Sequence, residues 1–349
     1  MLSKSKKIIL SVITALVIFG LTFLSSNSSE AKEPWGGIKF IRAADSSTGS
    51  LGFQLWTIYA SYWDKIPGIR SNAFAAGTNM QIFLISEGKS ETGQIGSSEL
   101  GVFKDPKKVP IGKKPVTNVV SIWSQAVLCS AFFVRADSKI KTIEDLKGAN
   151  IGGLLGIGSY GGGNRAIMEA IGLTPENAGQ FGGRISNMSA GGARDALRDG
   201  SLDVWLWGGS PAGPSRAVFP LEETIGLRVI VPSMDVIKKA SQLHPGLQIT
   251  EVDWSRDIKS QKGQHFTLGD VLIAGVRDDF PGDLVYEMLK QIFETDALER
   301  ARALGRGQQN KWIDNARIGS GNWKEHPAAV KYYEDHGVTI RKKWLYKAK

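Results

Sequence analysis

The feature that most constrains the fold is a unit that recurs along the chain: a short apolar strand, a turn rich in Gly, Ser or Thr, and then an amphipathic helix. Strands of this kind are predicted over 38–44, 149–155 and 203–207, and such a turn follows each of them. Strands that alternate with helices predict βαβ units and mainly parallel sheets. The 349 residues are enough for two domains. The sequence therefore predicts an α/β fold in which helices flank the sheets.

Two lobes joined by crossing strands are predicted, because no Ser/Pro-rich linker divides the chain. The outward crossing is predicted over 127–134, inside a long β-rich stretch that contains neither Gly nor Pro, and the return crossing near 228–270. The predicted division is 36–126 for the first part of lobe 1 and 127–232 for lobe 2. The remaining 233–349 are predicted to return to lobe 1 and to add C-terminal helices and a basic tail.

The first 31 residues have the pattern of a signal peptide. Lys4, Lys6 and Lys7 form a positive start, an apolar run follows over 8–24, and small residues precede a predicted cut after Ala31. The alternative is an uncleaved anchor, since the apolar run is near the lower limit for a spanning helix. We expect cleavage and a periplasmic or other extracytoplasmic location.

Charge and cysteine content add little about function. The formal net charge is +9, and much of it lies in a C-terminal tail that we expect to be solvated. A basic patch can also bind nucleic acid or anionic lipid, but the aromatic-interleaved motifs of nucleic-acid modules are missing, so no nucleic-acid partner is expected. The single cysteine, Cys129, lies in an apolar run and is predicted to be a buried small hydrophobe.

Catalytic motifs are weak in this sequence. No metal-ligand spacing is present around the four histidines, and the nucleophile pattern G-x-S-x-G fails because Ile157 stands in place of its first Gly. Residues 156–161 match the dinucleotide pattern G-x-G-x-x-G, but the predicted strand over 184–188 lacks the acid that would bind a ribose. We expect no catalytic residue, no metal and no cofactor, although a base and a nucleophile from distant positions would escape this reasoning.

Four turns, at 46–50, 77–79, 158–161 and 208–210, have the same predicted position, because each lies where a strand ends and a helix is expected to begin. Backbone N–H groups at a helix start are unpaired and can bind an anion, although Ser, Thr and Asn also serve there simply as helix caps. In parallel α/β sheets such turns gather at the carboxyl ends of the strands, where ligands bind. The predicted ligand-binding residues are Ser47, Thr48, Gly49, Ser50, Gly77, Thr78, Asn79, Gln81, Ser97, Ser98, Gly158, Ser159, Tyr160, Trp207, Gly209 and Ser210.

Several segments resemble those of known extracytoplasmic solute-binding proteins. Residues 137–148 are similar to the segment that opens the second lobe of many such receptors. In order, the first Gly-rich turn, Gly77-Thr78, the turn at 158–161, and the runs at 197–211 and 325–338 resemble the TAXI family, the solute-binding subunits of one class of TRAP transporter. The resemblance covers most of the chain after residue 31.

This resemblance implies a two-lobed, type II periplasmic-binding-protein-like fold with a ligand cleft between the lobes. It also implies capture of an amino acid such as glutamate, or of another small carboxylate, and delivery to a membrane permease. The chain departs from the family pattern at 49–54 and at 77–81, where a solute would lie. An ABC-importer receptor and a secreted α/β enzyme acting on an anionic substrate are therefore kept as alternatives.

Overall fold

The computed structural model describes residues 33–45, 48, 51–76, 79–156, 159–244, 246–304 and 324–338. The predicted signal peptide and basic tail lie outside these ranges, as do parts of three predicted turns. The chain divides into two units, Met1–Ile38 and Lys39–Lys349. The described part of the first unit contains a short 3-10 helix, Pro34–Gly37. The second unit contains the helices and strands described next.

The described helices and strands follow the predicted alternation closely. The helices are Leu51–Trp63 (α1), Gln81–Ser86 (α2), Ser97–Val102 (α3), Ser159–Ala170 (α4), Ala190–Asp199 (α5), Phe219–Ile225 (α6), Met234–Leu243 (α7), Gly282–Phe293 (α8), Ala297–Leu304 (α9) and Pro327–Asp335 (α10). The strands are Phe40–Asp45 (β1), Arg70–Ala75 (β2), Thr92–Gly96 (β3), Val119–Arg135 (β4), Asn150–Gly153 (β5), Arg184–Asn187 (β6), Val204–Ser210 (β7), Gly213–Pro214 (β8), Leu227–Ile230 (β9), Gln248–Val252 (β10) and His265–Arg277 (β11). Within these ranges, none of the helices combines the length and the apolar character that crossing a bilayer requires.

The strands form one sheet in the order β2-β1-β3-β11-β4-β7-β5-β6, with β10 on β11, β8 on β7 and β9 on β4. Strands near both ends of this order pair in parallel, as predicted: β1 with β2 and β3, and β5 with β6 and β7. The middle is antiparallel, because β11 runs against β3 and β4, and β4 runs against β7 and β9. The α/β fold class is confirmed, with a mixed sheet.

Two long strands, β4 and β11, explain the antiparallel centre. The first part of β4 pairs with β11, and its second part pairs with β7 and β9, so β4 runs from one set of strands into the other. The predicted outward crossing lies inside β4, and β11 overlaps the end of the predicted return. An outward and a return crossing necessarily run in opposite directions. The division into lobes at 126/127 and 232/233 stays a prediction.

Successive residues of the central strands enter two separate cores on opposite faces of the sheet, as strand geometry requires. Phe133 and Trp205 belong to one core, whereas Phe132 and Leu206 belong to the other. Cys129 is fully buried in the first core, as predicted, and burial raises the pKa of its thiol. Both faces of the crossing strands are thus covered, which holds the ends of the neighbouring strands in place.

Candidate functional site

Two edges of the sheet collect the turns that the sequence singled out. Thr48 follows β1, Asn79 follows β2 and Ser97 follows β3, and β1 is parallel to both of its neighbours. The carboxyl ends of these strands therefore share an edge. Tyr160 lies in the first turn of α4, which follows β5, and Ser210 ends β7. Because β5 and β7 are parallel, these two residues share a second edge.

The two edges point toward each other along β4. Gly96, at the end of β3, lies level with Ala126 of β4 through their common partner Leu272. Gly209, near the end of β7, pairs with Cys129 of β4. Since β3 runs with β4 and β7 runs against it, the two ends approach the same level of β4 from opposite directions, and their offset along that strand is three residues, about 10 Å. The register thus brings the two sets of turns together over the middle of β4.

Ser97 and Ser98 bind a buried carboxylate. The Ser97 hydroxyl donates to Asp270 Oδ1 at 2.9 Å, and the Ser98 hydroxyl donates to Oδ2 at 2.5 Å. The Ser98 amide adds a third bond to Oδ1 at 3.0 Å. Burial raises the pKa of Asp270 to about 6, although these serine bonds act in the opposite direction. Asp270 lies on β11, so this contact attaches α3 to a crossing strand.

A second carboxyl, Glu99, is buried beside this contact. Its Oε2 accepts a hydrogen bond from the Gly96 amide at 2.6 Å, closing the first turn of α3 onto the end of β3. Burial raises the pKa of Glu99 to about 8, and the nearby charge of Asp270 acts in the same direction. Two buried carboxyl groups, those of Glu99 and Asp270, therefore lie near this end of β3, and burial makes both of them harder to ionise.

Aromatic rings cover the end of β7. The Tyr160 ring packs on Trp207 with centroids 4.9 Å apart, and Trp207 stacks on Trp205 at 5.5 Å. The Trp207 indole N–H donates to the Ser215 hydroxyl at 2.6 Å. A Cβ at Gly208 would lie 2.3 Å from the Tyr160 ring, so this packing requires glycine there. Trp207 is half-buried and held on two sides, which limits its freedom to move as a lid.

Helix α4 begins directly on the crossing strands. A Cβ at Gly163 would lie 2.1 Å from the Ser130 hydroxyl oxygen, and a Cβ at Gly162 would lie 3.3 Å from that of Ser98. The Ser130 hydroxyl donates to the Tyr160 carbonyl at 3.1 Å. The glycine-rich start of α4 therefore places Tyr160 at the end of β7.

Known protein families include one whose model matches most of this chain. A family model described as the NMT1-like family matches residues 46–337, most of the chain. The chain belongs to the NMT1-like family. No curated protein sequence matches this NMT1-like chain significantly.

Solved structures resemble the NMT1-like chain at low sequence identity. The periplasmic aliphatic sulphonate binding protein SsuA from Escherichia coli is 16% identical, with a TM-score of 0.47 over 89% of this chain and 93% of that chain. A TctC solute binding protein from Polaromonas is 15% identical, with a TM-score of 0.46 over 85% and 95%. XAC2383 from Xanthomonas citri, solved with ATP, is 10% identical, with a TM-score of 0.50 over 86% and 99%. At such identities a likeness concerns the fold alone.

The other predicted site residues of the NMT1-like chain fall into three groups. Thr48 is exposed, Asn79 is half-buried with a positive φ of 63°, and Gln81 is buried at the start of α2. Gly209 and Ser210 lie in β7, which β8 covers. For Ser159, only its backbone position at the start of α4 is described. Six predicted residues lie outside the described residues: Ser47, Gly49, Ser50, Gly77, Thr78 and Gly158. Solute contact by any of the sixteen residues stays a prediction.

A pocket of about 390 Å³ lies beside α4 and is lined in part by Ser98, Arg165, Glu169 and His244. Arg165 Nε donates to Glu169 Oε1, and His244 Nε2 lies by Glu169 Oε2, both at 2.7 Å. These partners, His244 above all, lower the pKa of Glu169 to about 2. Arg165 thus has an internal carboxylate partner. Across the described ranges, no group of His, Cys, Asp and Glu is arranged to hold a metal ion.

Sequence reasoning missed three buried polar residues near the facing strand ends: Glu99, Gln125 and Asp270. Two of them could have been recognised from the sequence, because Gln125 interrupts the β-rich run over 116–134 and Asp270 interrupts the apolar run over 268–276. A polar residue inside a strand that is buried on both faces is itself a signal of a site or of a buried network.

Proposed function

We propose that this NMT1-like protein is an extracytoplasmic solute receptor that captures a small carboxylate-bearing solute and delivers it to a TRAP-type membrane permease. The observation that carries the proposal is the register of β4, because the ends of β3 and β7 face each other at levels of β4 that differ by three residues. The turns before α1 and α2 and the start of α4 would supply N–H and hydroxyl donors for a carboxylate. The turn predicted at 208–210 is not a helix start, because Gly209 and Ser210 lie in β7 and pair with β8.

Capture is proposed to proceed by closure of two lobes. Ser47, Thr48, Ser50, Thr78 and Asn79 would bind the solute from the first lobe, and Ser159, Tyr160, Gly209 and Ser210 from the second. Only the closed state brings both sets of donors to the solute, so the solute stabilises that state. Trp207 would form a fixed aromatic wall at the second edge, since its indole is already hydrogen-bonded to Ser215.

The permease type rests on the order of the TAXI-like segments. An ABC importer is the alternative, because the departures at 49–54 and 77–81 fall in the first-lobe turns. Adjacent genes for two integral membrane proteins would favour TRAP, whereas an adjacent ATPase gene would favour ABC. A secreted enzyme is the remaining alternative, and turnover of a retained molecule would establish it.

The decisive experiment is native mass spectrometry of the mature protein expressed with its signal, followed by denaturation to identify a released molecule. A carboxylate retained at one molecule per chain supports the proposal, and we expect Thr78→Ala with Ser159→Ala to abolish retention. The matched control is Thr224→Ala with Ser201→Ala, whose hydroxyls bond to the backbone of their own segments. Equal retention by both double variants would contradict the proposed site.

A further inference from the structure

Gln125 interrupts the pairing of the two crossing strands. On β11, Leu272 pairs with Ala126 and the next residue, Ile273, pairs with Ser124. Gln125 is therefore the extra residue of a β-bulge. Bulges bend a strand, re-aim a side chain and are over-represented beside functional sites. No residue of β11 is therefore paired with Gln125.

The side-chain amide of Gln125 is buried and has unused hydrogen-bonding capacity. The residue is 4% exposed, and among the described residues neither Nε2 nor Oε1 has a partner. A carboxamide offers two donors and an acceptor with two lone pairs. Buried polar groups are nearly always hydrogen-bonded, so an unpaired amide in a core strand needs an explanation. A hydrophobic residue of the same shape would be better for stability alone.

The position of Gln125 coincides with the facing strand ends. Its neighbour Ala126 is level with Gly96 at the end of β3, and Cys129, four residues after Gln125, pairs with Gly209 of β7. A solute held between the two sets of turns would lie over this part of β4. The stretch 125–129 of β4, called the floor, spans the levels of the two strand ends, and Gln125 lies at its start.

The chemistry around the floor favours an uncharged group there. Glu99 and Asp270 are buried carboxyls near the end of β3. The only basic residues of β4 and β11 are His265, Arg135 and Arg277, all at strand termini. A carboxylate buried there would receive no cation from either long strand. Lys108 and Arg165 line the pocket beside Ser98, but Arg165 is already bonded to Glu169. Burying a carboxylate without a cation partner is costly. A carboxamide or hydroxyl carries no such penalty.

We propose that Gln125 hydrogen-bonds an uncharged polar group, a carboxamide or a hydroxyl, at the end of the solute opposite its carboxylate. This inference rests on the proposed receptor function and narrows its substrate class. The donors of the turns hold the carboxylate, and the floor discriminates against a second one. The protein should then prefer a monocarboxylate with a neutral polar end to the matching dicarboxylate.

The test uses two matched pairs of probes, L-glutamine with L-glutamate and succinamate with succinate, measured by calorimetry on solute-free protein. We expect the amide of a pair to bind more tightly than its acid. Gln125→Met should weaken binding of the amide about tenfold or more, the loss of one good hydrogen bond. The same variant should raise the Tm of the solute-free protein by about 2 °C or more, because it removes an unpaired buried amide.

The control is Thr267→Val on the other crossing strand. Thr267 is buried, but its hydroxyl donates to the Ser130 carbonyl at 2.7 Å. Removing that bond should lower the Tm and leave the affinity for the probes unchanged. Gln125→Leu repeats the test should Gln125→Met fold poorly.

Three results would overturn the inference. The first is an unchanged affinity in Gln125→Met, and the second is a Tm that falls as in Thr267→Val, which would show that the amide is bonded within the protein. The third is binding of neither amide. That third result leaves the receptor function to the retention experiment, which does not depend on these probes, so the two proposals fail separately.

Discussion

Replacing Gly163 by alanine tests whether the close approach of α4 to the crossing strands is required. A Cβ at this position would lie 2.1 Å from the Ser130 hydroxyl oxygen and 3.0 Å from the Ser130 Cβ. Alanine gains about 0.5–1 kcal/mol of helix preference, but overpacking of a close-packed contact costs about 1–3 kcal/mol. Rotation of Ser130 away from the new methyl would also break its bond to the Tyr160 carbonyl. We expect a net loss of about 1–2 kcal/mol in the free energy of unfolding.

The assay is urea unfolding with a matched helical glycine as control. Gly191 lies in α5 and has no atom within 4 Å of the position where its Cβ would stand. Gly191→Ala should therefore raise the free energy of unfolding by about 0.5–1 kcal/mol. Ser130→Ala combined with Gly163→Ala should recover part of the loss, because it removes the oxygen that the new methyl meets first. A double-mutant cycle then gives the coupling between the two residues.

Opposite signs for the two glycine variants are the expected result. Stabilisation by Gly163→Ala, comparable to that by Gly191→Ala, would refute the reasoning, since it would mean that α4 has room to move off the crossing strands. Additive effects of Gly163→Ala and Ser130→Ala would equally contradict the contact on which the argument depends.

Three further predictions concern two acids with shifted pKa values and the aromatic wall. Glu99 has a folded pKa of about 8, above its ordinary value, so stability should fall as the pH rises from about 4.5 to 8, by at most about 1.4 kcal/mol per pH unit. Because the raised pKa of Asp270, about 6, gives a slope of the same sign at lower pH, Glu99→Gln should remove the slope between about pH 6 and 8 in urea unfolding, and an unchanged slope there would contradict the assignment. Glu169 has a folded pKa of about 2, so its contribution to the free energy of unfolding is present above about pH 4.5 and is lost as the pH falls toward 2. Glu169→Gln should lower the free energy of unfolding by about 1–2 kcal/mol at pH 7 and should reduce the loss of stability below pH 4.5. An acid-unfolding transition as large as that of the parent protein would contradict this prediction. Trp207→Phe should lower the free energy of unfolding by about 1 kcal/mol, because it removes the hydrogen bond to Ser215. Adding Ser215→Ala to Trp207→Phe should lower the Tm little further, and fully additive effects of the two substitutions would mean that the bond does not form.

Local patterns predicted most of the fold. The strand–turn–helix spacing correctly placed α1, β7 and the long run that becomes β4, because the burial of alternate or helically spaced apolar residues is written in short stretches of sequence. The helix Ala190–Asp199 ends at Gly200 in a left-handed conformation, the position that glycine favours at a helix end. The antiparallel centre of the sheet was not predicted, since pairing between β4 and β11 joins segments that are far apart in the chain.

The candidate site was predicted less completely than the fold. Turn composition identified Ser97 and Ser98 as polar residues at a strand end, but nothing near them in sequence indicated that their hydroxyls bind Asp270, 173 and 172 residues away. Gln125 could be recognised as an exception in an apolar run, but its place in a bulge depends on the register with β11. Trp207 was predicted only as a ligand-binding residue, and its hydrogen bond to Ser215 depends on a turn between the two residues that the pattern did not reveal.

Short stretches of sequence were enough for the α/β class, for three of the four predicted strand-to-helix turns and for the buried state of Cys129, because each depends on the spacing and polarity of neighbouring residues. The fourth turn, at 208–210, lies inside β7 and leads into β8 instead of a helix. Only the tertiary structure decided that the turns after β3 and β7 face each other over the middle of β4. The register of β3, β11, β4 and β7 decides this, and register is set by side-chain packing between strands that the chain visits far apart. The floor between these edges, with Gln125 and two buried acids, exists only once that register is formed.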